Sequence, residues 1–351
     1  MRKFLLAVLA VSLMISFAFA EEPLKEVSED VEEIIAEMSP EELALVSSEM
    51  SDEKYESKYM DIELTSNQIN LYENIPFAQG FWRGSMLYAL HMDILVPDSK
   101  EPMPLIVFIT GGGFIMAPKN NWIQQRMKLA EAGYVVASIE YRYAPLSKFP
   151  LPLEDCKTAI RWLRAHAKMY NIDAERVGVL GNSAGGYLSA FVGVTNGMPE
   201  FEKGDFLDYP SDVLCAADIF GISDLTNIGM DYDEENQKGH ASAGATEALW
   251  ALGTPTFGGK DGGILAHPEE AAYASPITYV NAKSAPMLLM HGTADTLVSP
   301  SQTDLLYQAL KAKGVEAERY VIKNAAHGGP YWVQEPVMKI MVDFFDRYMK
   351  K

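Results

Sequence analysis

Basic residues are scarce in this chain of 351 residues. Only 29 lysines and arginines stand against 48 aspartates and glutamates, which gives a formal net charge of −19. Binding to nucleic acid depends on neutralising phosphates with Lys and Arg, and anionic membrane surfaces attract the same side chains. The composition therefore excludes nucleic acid and membrane as expected partners and leaves a small molecule.

Motifs for metals and nucleotides are also missing. The chain has six histidines and two cysteines, with no His-Glu-x-x-His sequence and no paired cysteines of the kind that hold zinc. The glycine triplet Gly111–Gly113 lacks the lysine and the spacing of a phosphate-binding loop. We expect no metal and no cofactor.

The two cysteines are predicted to be free thiols. Leu153, Cys156, Ile160 and Leu163 recur at helical spacing, so Cys156 lies on the core face near the start of a helix. Cys215 opens a predicted strand. In a parallel sheet such a helix begins beside the carboxyl ends of the strands, and a strand of five or six residues is roughly 17–20 Å long. That separation exceeds the reach of a disulfide.

An apolar run occurs near the start of the chain. Residues 4–19 are apolar, a basic pair precedes them, and Ala18-Phe19-Ala20 fits a signal-peptidase site. A membrane anchor is the alternative, but the run is short for a span and an acidic segment follows at once. We expect residues 1–20 to be a signal peptide and the protein to be secreted or periplasmic.

Strands and helices alternate from about residue 86 onward. This alternation predicts an α/β fold with a mostly parallel central sheet, helices on both faces, and catalytic loops at the carboxyl ends of the strands. The predicted strands are 87–96, 105–109, 134–140, 177–180, 214–219, 287–290 and 319–322, and the predicted helices are 121–132, 154–169, 184–194, 300–313 and 334–349.

Two irregular segments are candidates for a lid. Residues 21–75 are acidic, and Ser39-Pro40-Glu41-Glu42 is a capping box that predicts a helix from Pro40 to Ser48. This segment is either a solvated leader or a lid. Residues 228–270 are rich in Gly, Ala and acidic residues, and we expect them to cover the pocket. The chain thus divides into a signal peptide (1–20), an acidic helical segment (21–75) and an α/β domain (76–351).

A serine lies in a sequence that builds a sharp turn. Gly181-Asn182-Ser183-Ala184-Gly185 follows the apolar run Val177–Leu180 and precedes an apolar helix. This is the G-x-S-x-G nucleophile elbow, which exposes the serine hydroxyl on a strand-to-helix turn. Small flanking residues are needed because the strand and the helix come very close. Ser183 is therefore the candidate nucleophile.

A glycine loop upstream is suited to stabilising negative charge. The strand Leu105–Ile109 ends in Thr110-Gly111-Gly112-Gly113-Phe114, and glycines let backbone N–H groups turn toward a developing oxyanion. In lipases and esterases this loop and the residue after the nucleophile form the oxyanion hole. We expect Gly112, Gly113 and Ala184 to be the donors.

An acid and a histidine follow Ser183 in the order of an α/β-hydrolase triad. Asp295 comes shortly after the strand Met287–Met290, and His327 lies in a small-residue loop after the last predicted strand. His327 would take the serine proton, and Asp295 would hold the imidazole tautomer. Asp224 is the rival acid, and its alternative role is a cap.

The remaining histidines are weaker candidates. His291 is expected to close its strand beside the site, whereas His91, His166, His240 and His267 lack the strand-then-loop context.

Several segments together resemble bacterial carboxylesterases of the α/β-hydrolase superfamily, in particular the feruloyl-esterase-like branch related to the hormone-sensitive-lipase type. The segments are Thr110 to Phe114, Tyr141-Arg142-Tyr143-Ala144-Pro145, Phe149-Pro150, Gly181 to Gly186, Ser275-Pro276-Ile277-Thr278-Tyr279 and His291-Gly292. The resemblance covers roughly residues 85–350. It implies an α/β-hydrolase domain that cleaves small or medium carboxylic esters, including acetyl and hydroxycinnamoyl groups on plant polysaccharides.

One position departs from the resemblance. Such esterases usually carry His before the three glycines, and this chain has Thr110. The resemblance gives that histidine a bracing role and no part in the chemistry, so we expect the oxyanion function of the loop to persist.

Aromatic residues close to the catalytic motifs are expected to bind the acyl group. Phe114 follows the oxyanion glycines, and Tyr331 and Trp332 lie four and five residues past His327. Stacking of a hydroxycinnamoyl ring on such side chains is favourable. The alternative for Trp332 is to anchor the carboxyl-terminal helix to the sheet.

The leading hypothesis is a secreted serine carboxylic-ester hydrolase that acts through an acyl-enzyme. A serine exopeptidase of the prolyl-oligopeptidase type shares the triad order and is the alternative, although such enzymes usually lack a glycine triplet. A catalytically inactive binding protein on the same fold is the third possibility.

Overall fold

The computed structural model describes residues 39–40, 60–82 and 86–350. The chain divides into two units, Met1–Thr65 and Ser66–Lys351, and the fold below is that of the second. The helix predicted from Pro40 to Ser48 lies almost wholly outside the described residues, as do the proposed signal peptide and most of the acidic segment. Across the part that is described, every helix is too short or too polar to span a bilayer.

Within the described residues, eight strands form one sheet. In chain order they are β1 (Ile69–Trp82), β2 (Met86–Pro97), β3 (Met103–Ile109), β4 (Val135–Ile139), β5 (Ile172–Asn182), β6 (Cys215–Ile219), β7 (Met287–Gly292) and β8 (Ala317–Ile322). Their order across the sheet is β1-β2-β4-β3-β5-β6-β7-β8. The first two pairings are antiparallel and all the others are parallel. The mostly parallel sheet predicted from the alternating pattern is therefore present.

Eight α-helices connect or flank these strands within the described residues. They are α1 (Ile123–Glu131), α2 (Leu151–Ala165), α3 (Ala184–Val194), α4 (Glu234–His240), α5 (Thr246–Leu252), α6 (Pro268–Tyr273), α7 (Ser301–Ala312) and α8 (Glu335–Met349). The five helices predicted from periodicity correspond to α1, α2, α3, α7 and α8, with ends shifted by a few residues.

The strand pleat divides the core between the two faces of the sheet. Along β3, Val107 packs with α2 and α3, whereas Phe108 packs with α1 and α8. Successive side chains of a strand point to opposite faces, and both faces are covered. For this reason β3, β4, β6 and β7 are buried along their whole length.

The amino-terminal edge of the sheet differs from the prediction. Residues 69–75, assigned to the acidic helical segment, form the first half of β1, which pairs with β2. The α/β unit therefore begins before residue 76. This stretch alternates polar and apolar residues weakly, and it becomes a strand because the neighbouring β2 supplies the hydrogen bonds of a ladder.

Both cysteines are buried free thiols, as predicted. Cys156 lies in α2 and packs on one face of the sheet, whereas Cys215 begins β6 and packs on the other.

Candidate active site

Ser183 lies in the turn between β5 and α3. Its backbone has φ 57° and ψ −122°, a region that non-glycine residues seldom occupy, and its N–H donates to the carbonyl of Ile219 over 2.9 Å. The small neighbours are required by contact, because a Cβ added to Gly185 would lie 1.9 Å from the carbonyl oxygen of Ile109. The strained conformation is held by packing on both sides and presents the Ser183 side chain to a cavity.

The structure brings together the three residues predicted to act as a triad. The Ser183 Oγ lies 2.7 Å from His327 Nε2, and His327 Nδ1 lies 2.7 Å from Asp295 Oδ2. With the Nδ1 proton donated to the carboxylate, Nε2 is left as an acceptor for the serine hydroxyl. The arrangement can move a proton from Ser183 to His327 while Asp295 stabilises the resulting cation.

The Asp295 carboxylate is held by hydrogen bonds on both oxygens. Oδ1 accepts the backbone N–H groups of Leu297 (2.9 Å) and Val298 (3.0 Å), and Oδ2 faces His327 and His291. Burial acts to raise the pKa of Asp295, but the hydrogen bonds from His291 and His327 outweigh it and hold the pKa well below its usual range. The hydrogen bonds therefore favour the ionised form of Asp295, which is the form that a triad acid requires.

His291 lies near the end of β7 beside the site, as predicted, and the structure shows that it contacts the acid. Its side chain is fully buried, and its Nε2 lies 2.9 Å from the carbonyl oxygen of Val298 and 3.2 Å from Asp295 Oδ2. Its Nδ1 lies 3.2 Å from Thr303 Oγ1. His291 thus ties the acid loop to α7 without touching Ser183 or His327 in any hydrogen bond between described residues.

Asp224, the rival acid, serves as a cap. Its side chain accepts the N–H of Thr226 over 2.9 Å at the start of a short 3₁₀ turn, and it also bonds the side chain of Asn227. No hydrogen bond joins it to a histidine in the described chain.

The oxyanion donors predicted from the sequence border the same cavity as Ser183. Gly112, Gly113 and Ala184 all line it. Among the described residues, no hydrogen bond uses the N–H of any of the three. A free N–H on each side of the nucleophile is what a negatively charged oxygen requires.

The glycine loop is braced by a residue that the sequence reasoning missed. Thr110 stands where the resembling esterases carry histidine, and the Tyr141 hydroxyl donates to the Thr110 carbonyl over 3.0 Å. Both residues are fully buried. Because Tyr141 follows β4, only the pairing of β3 with β4 brings it to the loop. The Thr110 hydroxyl itself has no partner in the described residues.

A buried amide links the elbow to the segment after His327. Gln125 in α1 accepts the side-chain N–H of Asn182 over 2.9 Å and donates to the carbonyl of Trp332 over 2.9 Å. The Phe220 ring packs against both His327 and Trp332, with centroids 4.7 Å away in each case. The nucleophile turn and the base are therefore fixed to one another through α1 and Phe220.

The aromatic residues expected to bind the acyl group behave differently from one another. Phe114 borders the cavity, but its ring is only 2% exposed and stacks on Trp250 with centroids 4.5 Å apart. Trp332 is fully buried, and its Nε1 donates to the carbonyl of Ala326 over 3.0 Å. Neither Trp332 nor Tyr331 lines the cavity. The assignment of these two residues to substrate binding is corrected. The 3₁₀ turn after His327 directs the Trp332 indole into the core beneath Phe220, and Tyr331 is exposed outside the cavity.

The cavity in front of Ser183 encloses about 560 Å³ and lies in the size range of small-molecule sites. The connection between β6 and β7, which contains the 228–270 segment, supplies part of its wall through α4 and α5. Trp250 of α5 anchors this connection, since its Nε1 donates to the Tyr187 hydroxyl over 3.0 Å. The expectation that residues 228–270 cover the pocket agrees with this arrangement.

A second buried carboxyl lies beneath the elbow. Asp218 in β6 is fully buried, and one of its oxygens accepts the N–H of Gly221 over 2.7 Å. Its other oxygen has no partner in the described residues. Burial raises the pKa of Asp218 to about 7.

The sheet topology and this site define the class of the protein, which is an α/β-hydrolase, and the fold predicted from the sequence is confirmed. Residues 92–310, more than half of the chain, match the family model BD-FAE. The chain belongs to this family of α/β-hydrolase esterases.

Named relatives share this similarity over much of the chain. Esterase LipC of Mycobacterium tuberculosis is 29% identical over 230 residues, which are 65% of this chain and 53% of LipC. The chain thus spans about half the length of the curated relatives it matches. A solved structure described as a truncated carbohydrate esterase from gut microbiota is 26% identical with TM-score 0.69, covering 82% of this chain and 99% of that one. A bifunctional GH43-CE protein of Bacteroides eggerthii is 28% identical with TM-score 0.68, covering 80% of this chain and 35% of that one.

Proposed function

We propose that this protein is a secreted serine hydrolase of carboxylic esters. The observation that carries the proposal is the continuous hydrogen-bonded chain from Ser183 through His327 to Asp295, with 2.7 Å at each step, opening on a cavity bordered by free N–H groups. Family membership and the esterase names of the relatives support the reaction class. Secretion rests on the sequence of residues 1–20 alone.

The reaction proceeds in two halves. The Ser183 oxygen attacks the ester carbonyl as its proton passes to His327 Nε2, and the carbonyl oxygen becomes an anion facing the N–H groups of Gly112, Gly113 and Ala184. The tetrahedral intermediate collapses, the bond to the alcohol breaks, and the imidazolium returns its proton to the leaving alcohol. Water then repeats the sequence on the acyl-enzyme and releases the acid and free Ser183.

The substrates we propose are acetyl or hydroxycinnamoyl esters of plant polysaccharides, or similar small esters. Supporting this choice, one neighbouring structure is described as a carbohydrate esterase and another as a bifunctional GH43-CE protein. A cavity of about 560 Å³ accommodates an acyl group together with part of an alcohol.

The test compares wild type with Ser183→Ala on p-nitrophenyl acetate, acetylated xylan, methyl ferulate and an aminoacyl-nitroanilide. We expect wild-type turnover of esters, no turnover of the anilide, and a loss of roughly 10⁴–10⁶ in kcat for the variant. An organophosphate should label Ser183. Ester turnover by Ser183→Ala near the wild-type rate would overturn the mechanism, and preference for the anilide would favour a serine exopeptidase.

A further inference from the structure

Two sets of unlike chemistry stand out among the residues that line the cavity. One set is aromatic: Trp122 and Phe220 lie 6.1 Å apart between ring centroids, and Phe220 packs on His327. The other set is polar and comes from the connection between β6 and β7: Asn236, His240, Thr246 and Glu247. An ester hydrolase has to bind two unlike groups, the acyl group and the alcohol.

The polar set is built on one face of a short helix. Asn236, Gly239 and His240 are spaced i, i+3 and i+4 in α4, so they share the face that borders the cavity. No residue of α4 is buried. The helix is therefore held over the cavity by polar contacts rather than by a hydrophobic stripe.

The main such contact joins His240 to Glu247. Glu247 is 5% exposed, its Oε1 pairs with His240 Nδ1, and its Oε2 accepts the Thr246 hydroxyl over 3.3 Å. Both carboxylate oxygens are thus engaged within the protein. The His240 Nε2 takes part in no hydrogen bond with any described residue, although His240 lines the cavity.

The polar set lies next to the catalytic acid. The Tyr232 ring stacks on His240 with centroids 6.1 Å apart, and the Tyr232 hydroxyl donates to the Asp295 backbone carbonyl over 3.2 Å. A single tyrosine therefore spans the distance from His240 to the acid loop.

The chemistry of the polar set favours a hydroxylated ligand. The contact between Glu247 and His240 is weak support for stability, because apolar residues of similar volume often replace a buried polar pair at no cost. A cationic ligand would need a carboxylate oxygen facing it, and both oxygens of Glu247 are taken. The ring nitrogen of His240 and the amide of Asn236 can instead donate to and accept from hydroxyl groups.

We propose that Asn236 and His240 bind the alcohol portion of the ester, that this alcohol is a sugar ring carrying free hydroxyls, and that Glu247 is a positioning residue that orients His240. The acyl group then occupies the aromatic side, against Trp122 and Phe220. This inference rests on the proposed ester hydrolysis and adds the residues that select the alcohol.

The test uses two acetates with the same acyl group and the same ring size: a monoacetylated methyl xylopyranoside, which has free hydroxyls, and cyclohexyl acetate, which has none. The measured quantity is the ratio of kcat/KM for the sugar ester to kcat/KM for cyclohexyl acetate. The double variant His240→Phe/Glu247→Leu removes the polar pair while keeping a ring against Tyr232 and an apolar filling, so the fold is expected to persist.

We expect this ratio to fall about ten- to hundredfold in the double variant, as for loss of about two hydrogen bonds to the sugar. Asn236→Ala, at an exposed helix position that alanine favours, should lower it about threefold to tenfold. Glu234→Gln is the matched control, because Glu234 lies in the same helix and pairs with Lys238 over 2.8 Å in solvent. The control should leave the ratio and both rates at wild-type values.

An unchanged ratio in the double variant and in Asn236→Ala, with cyclohexyl acetate still hydrolysed, would overturn the sugar site while leaving the esterase proposal intact. A wild type that prefers cyclohexyl acetate would do the same. Failure of wild type to hydrolyse either acetate would overturn the esterase proposal and the sugar site with it.

Discussion

Replacing Asp295 by asparagine should disable the base while leaving the fold in place. The structure decides how the new amide is oriented. Asp295 Oδ1 accepts two backbone N–H groups, from Leu297 and Val298, so the amide oxygen must remain at that position. The amide nitrogen then faces His327 Nδ1, where the carboxylate oxygen lay 2.7 Å away.

Two N–H groups cannot donate to each other, so His327 must carry its proton on Nε2 instead. In that tautomer Nε2 points a hydrogen at Ser183 Oγ and cannot accept the serine proton. For a comparable triad this change costs about 10⁴ in kcat. At about 1.36 kcal/mol for each tenfold change in rate, the activation barrier rises by about 5 kcal/mol.

The assay is steady-state hydrolysis of p-nitrophenyl acetate by wild type, Asp295→Asn and Asp224→Asn, with thermal unfolding measured for all three. Asp224→Asn is the matched control, because it makes the same chemical change in a carboxylate that caps a turn. We expect it to stay near the wild-type rate. A crippled Asp224→Asn beside a mild Asp295→Asn would refute the assignment of the acid.

Three further predictions concern groups around the site. Because burial raises the pKa of Asp218 to about 7 in the folded protein, wild-type stability should fall as pH rises from about 4 to about 7, and Asp218→Asn should remove this fall. In urea unfolding, the free energy of unfolding of the variant minus that of wild type should rise by roughly 3 kcal/mol from pH 5 to pH 8. Trp332→Ala should lower the free energy of unfolding by about 3–5 kcal/mol with no change in the preference between methyl ferulate and p-nitrophenyl acetate, since the indole is buried away from the cavity. Tyr141→Phe should cost about 1–3 kcal/mol by leaving the Thr110 carbonyl unpaired, and it should lower kcat more than it raises KM.

Each of these predictions has a contrary outcome. Parallel pH dependence of stability in wild type and Asp218→Asn would mean that Asp218 does not resist ionisation. A selective loss on methyl ferulate in Trp332→Ala would return Trp332 to the substrate site. Unchanged kcat in Tyr141→Phe, despite lower stability, would show that the glycine loop does not depend on this hydroxyl.

The elements and the chain order of the site could be predicted because their signals are local. Ser183, Asp295 and His327 each follow an apolar strand and lie in a small-residue loop, and in a parallel sheet such loops gather at one edge. The glycines at the elbow are equally local, because the contact between a strand and the next helix leaves no room for a Cβ.

What the sequence left open depends on segments far apart in the chain. The polar pair of His240 and Glu247 meets the cavity only because Trp250 anchors the connection between β6 and β7 beside the glycine loop. Tyr141 reaches Thr110 through the pairing of β3 with β4. Trp332 turns into the core because Gln125 donates a hydrogen bond to its carbonyl and Phe220 packs against its ring. The sequence by itself determined the parallel part of the sheet, the nucleophile turn and the order of the triad, since these follow from hydrophobic periodicity and short-range sterics. Only the tertiary structure decided which side chains line the cavity, because that depends on contacts between elements that are separate in the chain, from 31 residues apart for Tyr141 and Thr110 to 207 for Gln125 and Trp332.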